Sequence, residues 1–74
     1  MGSLMNKVIY YKNGEMLEEL FSDANSAVQF AFTGYETSSY DPVALYSNGD
    51  MVYDSETLRR LYIKATLYRD GKGL

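Results

Sequence analysis

Cysteine and histidine are both missing from this 74-residue chain, and proline occurs once. Without cysteine there is neither a disulfide framework nor a thiolate zinc site to make up for a small core. Without histidine the chain lacks the usual general base, the commonest metal ligand and the side chain that titrates near neutral pH. Most hydrolytic triads and most transition-metal sites are thereby excluded. No apolar run approaches the roughly 18 residues of a membrane span, and no charged segment followed by an apolar one opens the chain. A cytoplasmic chain with no membrane association is therefore expected. The length allows one small domain and no two-domain cleft.

The residues that are present favour folding. Hydrophobic residues make up 46% of the chain, with eight Tyr and three Phe, too apolar and too aromatic for a disordered segment. A core of this size rarely supplies more than roughly 3–5 kcal/mol, so self-association as a homodimer is one means of burying more apolar surface. Met1 to Leu4 precede a second methionine, Met5, and read as an expression scar. The domain is expected over 5–70, with 71–74 as a frayed terminus.

Two hairpins are legible. Lys7-Val8-Ile9-Tyr10-Tyr11-Lys12 is β-branched and aromatic, and Asn13-Gly14 separates it from the apolar segment Glu15 to Phe21. Both central residues of a type I′ turn need a positive φ, which Asn and Gly tolerate best. Lys12 then faces Glu15, Tyr11 faces Met16, and Tyr10 faces Leu17. The second hairpin runs through Val43 to Tyr46, turns at Asn48-Gly49, and returns through Met51, Val52 and Tyr53. Laid over the first at an offset of 35 residues, Val8 matches Val43, Tyr11 matches Tyr46, Glu15 matches Asp50 and Met16 matches Met51. Duplication and convergence on one turn chemistry both account for the match.

Each hairpin is followed by a helical pattern. Ala24, Ala27, Val28 and Ala31 recur at helical spacing, with Ser22 or Asp23 as N-cap and Gly34 placed to stop the helix. Phe30 and Phe32 flank that small-residue stripe. Residues 35–42 are polar and hold the single Pro, so they read as a connecting loop. In the last segment Leu58, Leu61, Tyr62 and Ala65 fit a helical face after Asp54 or Ser55, while Leu61, Ile63, Ala65 and Leu67 also alternate as a strand would. Helix is preferred, because good helix formers fill the first turns and acid precedes base along the macrodipole. The fold class expected is α+β: tandem ββα units, pseudo-repeats 8–34 and 43–69, forming a four-stranded antiparallel sheet with two helices on one face.

Strand alternation then divides the side chains. Val8, Tyr10 and Leu17 share one face, as do Val43, Leu45 and Val52. Ile9, Tyr11 and Met16 oppose them in the first hairpin, and Ala44, Tyr46, Met51 and Tyr53 in the second. With helices on the first face, Ile9, Tyr11, Met16, Tyr46, Met51 and Tyr53 form a candidate interaction face. Tyr combines apolar area with a hydroxyl, and Met adapts its shape. Tyr is also ordinary on solvated sheets, where it merely shields the strands.

Charge is unevenly placed. Residues 1–50 carry seven acids (Glu15, Glu18, Glu19, Asp23, Glu36, Asp41, Asp50) against Lys7 and Lys12, a net of −5. Residues 51–74 carry Asp54, Glu56 and Asp70 against Arg59, Arg60, Lys64, Arg69 and Lys72, a net of +2. Arg59, Arg60 and Lys64 are candidate phosphate contacts, with Tyr62 or Tyr68 to stack on bases. A chain of net charge −3 lacks the broad basic footprint that dominates nucleic-acid affinity, so nucleic acid is not the expected partner. The acids allow the reverse, an imitation of nucleic-acid charge that blocks a nucleic-acid-binding protein.

No catalytic residue, cofactor or metal ligand is expected. Adjacent residues Glu18 and Glu19 point to opposite faces of a strand, and no phosphate-binding loop, dinucleotide fingerprint, EF-hand loop or nucleophile elbow is present. In composition alone the chain is similar to small acidic, Tyr-rich accessory proteins of phages and mobile elements. The reading reached from sequence is a non-enzymatic protein-interaction module that binds a protein partner or itself through a Tyr/Met sheet face.

Overall fold

The computed structural model describes residues 5–69; the expected scar over 1–4 and the frayed terminus over 71–74 lie outside the described residues. Strands β1 (Asn6–Lys12) and β2 (Glu15–Phe21) form the first hairpin. Helix α1 (Ala24–Thr37) follows, then strands β3 (Asp41–Ser47) and β4 (Asp50–Asp54), then helix α2 (Ser55–Arg69). The fold is α+β, with one four-stranded antiparallel sheet in the order β2-β1-β3-β4.

Both turns have the geometry their residues favour. Asn13 and Gly14 sit at φ 54° and 80°, Asn48 and Gly49 at 53° and 89°, so all four central positions are left-handed as a type I′ turn requires. Lys12 pairs with Glu15, Tyr11 with Met16 and Tyr10 with Leu17, as the turn register dictates. The second turn is also tied to the start of the chain. The Asn48 backbone N–H donates to the Met5 carbonyl at 2.9 Å, and the Met5 N–H donates to Asn48 Oδ1 at 3.1 Å.

Each helix opens on an aspartate. Asp23 accepts the Ser26 backbone N–H at 3.0 Å and the Ser26 hydroxyl at 2.8 Å, and Asp54 accepts the Thr57 N–H at 2.9 Å. These are N-caps that satisfy donors the helix itself cannot. In both cases the backbone N–H bond is the largest cause, followed by the neighbouring hydroxyl, that holds the carboxyl below its ordinary pKa.

Helix α1 does not stop at Gly34. It continues to Thr37 and ends at Ser38, whose φ is 60° and whose N–H donates to the Gly34 carbonyl at 2.9 Å. Gly34 is a packing residue. A Cβ there would fall inside contact distance of the Tyr40 ring. That ring stacks on Phe30 at 4.7 Å between centroids and its hydroxyl donates to the Phe30 carbonyl at 2.7 Å. The expected loop over 35–42 thus shrinks, its first residues being helical. Pro42 is buried inside β3 opposite Tyr10, at a register shift that leaves Val43 as an extra residue. A bulge is where a strand accommodates proline.

The core lies between the sheet and both helices. Val8 of β1, Ala27 and Ala31 of α1, Leu45 of β3 and Leu58 of α2 form one buried cluster. Two aromatic groups extend it. Tyr10, Phe21, Phe30 and Tyr40 lie with centroids 4.7–5.3 Å apart in successive contacts, and Phe32 and Tyr35 flank Tyr62 at 5.6 and 5.4 Å. The alanine stripe of α1 lets the helix sit low, while Phe30 and Phe32 fill the margins. The final segment is helical, as preferred over strand. Leu58 is buried and Leu61 half-buried, while Ile63 and Leu67, half of the strand-like alternation, are exposed.

Candidate interaction face

Cross-strand pairing fixes which residues share the side of the sheet away from the helices. Val8 and Leu45 are paired and buried in the core, so their neighbours Lys7, Ile9, Ala44 and Tyr46 face the other way. Lys7 pairs with Tyr46 and Ile9 with Ala44 on that open side. In β1 and β2 the same parity adds Tyr11 with Met16, Ile9 with Glu18, and Lys7 with Leu20. Across β3 and β4 it adds Met51, opposite Tyr46.

Five of the six candidate residues are therefore brought together: Ile9, Tyr11, Met16, Tyr46 and Met51. Tyr53 leaves the group. A register shift in β4 makes Val52 an extra residue, so Tyr53 pairs with Leu45 and packs against the core. Plain alternation carries straight through a bulge and assigns every later residue to the wrong face. For the same reason Val52, expected on the core side, is 47% exposed. Sequence reading also overlooked Leu20, although its parity with Met16 and Glu18 along β2 was a usable signal.

The open side is apolar and solvent-facing. Met16, Leu20 and Met51 are exposed at 56, 57 and 53%, and Tyr11 at 46%. Ile9 and Tyr46 are half-buried, and Ala44 forms a low, buried centre at 3%. The charged residues this register places here are Lys7 and Glu18, which bridge each other at 3.5 Å, with Asp41 opposite Tyr11 and Asp54 opposite Ala44, and the Lys7 ammonium also lies 5.6 Å from the centre of the Tyr46 ring. With one base against three acids, the face shares the acidic sign of a chain of net charge −3.

Other candidate groups are placed differently. Arg59, Arg60 and Lys64 are exposed on α2, and Arg60 bridges Glu56 one turn earlier at 2.8 Å. Tyr62, the ring offered for base stacking, is instead engaged by Phe32 and Tyr35; the Tyr68 side chain lies outside the described residues. Burial raises the Tyr35 pKa, with Arg59 opposing, and its hydroxyl lies 3.4 Å from the Ser55 carbonyl. Burial likewise raises Tyr40. Glu18 and Glu19 pair with Ile9 and Val8 and so point to opposite sides of the edge strand. Among the described residues no group of His, Cys, Asp or Glu is arranged to hold a metal ion, and no helix is long and apolar enough to cross a membrane.

Two layers of secondary structure with one sheet side left open define the class of molecule: a small α+β domain with an uncovered apolar sheet face. Comparison with known protein families, curated proteins and solved structures finds no match to this chain.

Proposed function

We propose that this chain is a non-enzymatic protein-interaction module that makes its contact through the open sheet face. The observation that carries the reading is the side-by-side exposure of Tyr11, Met16, Leu20 and Met51 on the side the helices leave uncovered. Exposed apolar residues gathered on one face are the signature of a contact surface, whereas scattered ones are ordinary. The two halves act as tandem ββα units in building it. Tyr11 and Met16 form one cross-strand pair, and Tyr46 and Met51, each 35 residues later, form the other. Ile9 and Ala44, also 35 apart, pair between them at the sheet centre.

The test is capture of partners from the cells that make the protein, comparing the parent with Tyr46→Ser and Met51→Ser. Both substitutions are expected to abolish capture while leaving the fold intact, and variants that keep every partner would sink the reading. A second reading draws on β2, an edge strand bearing Glu15, Glu18 and Glu19: an acidic decoy for a nucleic-acid-binding protein. In that case capture falls steeply with salt and with Glu19→Lys or Asp50→Lys, both off the open face, whereas a Tyr/Met contact is nearly insensitive to either.

A further inference from the structure

We propose that Asn13 is a modification site, deamidated by water through the glycine that follows it, and that a clasp on the second turn spares the otherwise equivalent Asn48. The inference is independent of the open sheet face.

The residue pair sets the chemistry. A backbone nitrogen can attack the side-chain amide carbon of the asparagine before it, and glycine, having no Cβ, hinders that attack least. Of the four asparagines, Asn13 and Asn48 precede glycine. Asn6 precedes Lys7 and is 2% exposed, and Asn25 precedes Ser26 inside α1. Asn13, Gly14, Asn48 and Gly49 are all exposed, so water reaches both turns.

The reaction balances with water alone and needs no oxidant or reductant. The Gly14 nitrogen gives its proton to a base in solvent and bonds to Asn13 Cγ, while the Cγ–Nδ2 bond breaks and the amide nitrogen, taking a proton from water, leaves as ammonia. Water then opens the succinimide at either carbonyl, giving aspartate, or isoaspartate with the chain running through Cγ. Both products add a negative charge two residues before Glu15. Isoaspartate also adds a backbone methylene to the turn that sets the Lys12/Glu15 and Tyr11/Met16 register.

Backbone geometry decides when the ring can close. Closure needs Cγ and the glycine nitrogen on the same side of the asparagine Cα–C bond, whereas a type I′ turn, with ψ of about +30° at its first central residue, sets them on opposite sides. Asn13 and Asn48 have φ of 54° and 53°, so both intact turns resist alike and reaction awaits opening. Opening is where they differ. Asn48 gives its backbone N–H to the Met5 carbonyl at 2.9 Å and accepts the Met5 N–H on Oδ1 at 3.1 Å, so both bonds must break before its side chain can swing round. Asn13 has no such tie to another segment among the described residues. Two hydrogen bonds at their usual net worth slow Asn48 roughly tenfold.

Peptide mass spectrometry of the full chain, held folded at mildly alkaline pH and sampled over time, reads the acid formed at each asparagine. Asn13 is expected to convert roughly tenfold faster than Asn48 in the folded chain, and the two should convert at similar rates in denaturant. Met5→Pro removes the N–H given to Asn48 Oδ1 but keeps the carbonyl, and should speed Asn48 severalfold while leaving Asn13 unchanged. Should that variant melt early, amide exchange of the parent decides: the Asn48 N–H is expected to exchange more slowly than the Asn13 N–H. Equal conversion of the two sites in the folded chain, or a gap that persists in denaturant, overturns the inference. So does a folded Met5→Pro variant whose Asn48 converts as slowly as the parent's, or a parent whose two asparagine amides exchange alike.

Discussion

At Gly34 two residue-level preferences oppose each other. Alanine is the better helix former by about 1 kcal/mol in a helix interior, yet overfilling a packed site costs roughly 1–3 kcal/mol. Gly34 is buried, and the Tyr40 ring occupies the space a methyl would need. Gly34→Ala should therefore lower the melting temperature, and in a Tyr40→Ala background the same substitution should become neutral or stabilising. Thermal unfolding of the two singles and the double measures the coupling, and an additive result would remove Tyr40 as the reason for glycine. Sequence alone marked Gly34 as a helix stop, because its spatial neighbour is reached only after the chain turns back. The two cap aspartates were legible, since capping is local. Folding lowers the pKa of Asp23 and Asp54 through bonds to Ser26 and Thr57. Their contribution is complete above the ordinary aspartate value of 3.8 and is lost as pH falls through the lower folded values. Replacing both by Asn keeps an acceptor for each N–H but removes the titration. An acid titration of stability followed by circular dichroism should thus be flatter below the ordinary value for the Asp23→Asn, Asp54→Asn double variant than for the parent.

Elements show where local chemistry stops being informative. The turns could be read because Asn-Gly admits few alternatives, and the Tyr11/Met16 register follows from the turn. Gly14 and Gly49 have open space where a Cβ would go, so only backbone conformation resists a side chain there. Gly14→Val and Gly49→Val should each cost about 1–2 kcal/mol, from the penalty on a left-handed β-branched residue. Comparable drops in melting temperature are expected; a variant that melts like the parent would show that its turn relaxes into another type. Bulges lie beyond that kind of reading. Alternation buries Val52 and exposes Tyr53, but one extra residue exchanges them and brings the larger ring onto the core beside Leu45. Nothing in the pattern of β4 distinguishes the two registers, because the choice depends on what α2 and β3 leave to be filled. The helical reading of residues 55–69 succeeded on propensity and dipole placement. The competing alternation failed because Ile63 and Leu67 are surface residues, a fact about packing that no periodicity contains.

For the molecule as a whole, the sequence supplied two hairpins and two helices but not their arrangement, since either strand of each hairpin could lie innermost. Charge resolves the order physically. Central β1 contributes Val8 and central β3 contributes Leu45, both buried, while edge strand β2 carries three glutamates and edge strand β4 is short and bounded by Asp50 and Asp54. Acid on an edge discourages further strand pairing, and the two middle strands, with Val8 and Leu45 buried, form the floor of the core. Because that floor joins the two halves, neither half owns a core: Val8 and the α1 alanines come from the first, Leu45 and Leu58 from the second, in one cluster. Unfolding should accordingly be a single transition for residues 5–69. Leu58, at 0% exposure, is the α2 residue in that cluster, and Leu58→Ala should cost about 2–5 kcal/mol, comparable with the whole stability of so small a domain. The substitution lies in the last helix, yet it should release the first hairpin as well. Amide exchange in β1 and α1 measures this at a distance: loss of protection at Val8, Tyr10 and Ala31 together with α2 is the expected outcome. Protection retained in β1, β2 and α1 after α2 is lost would mean that the first half folds alone and that the shared floor is not what holds the domain together.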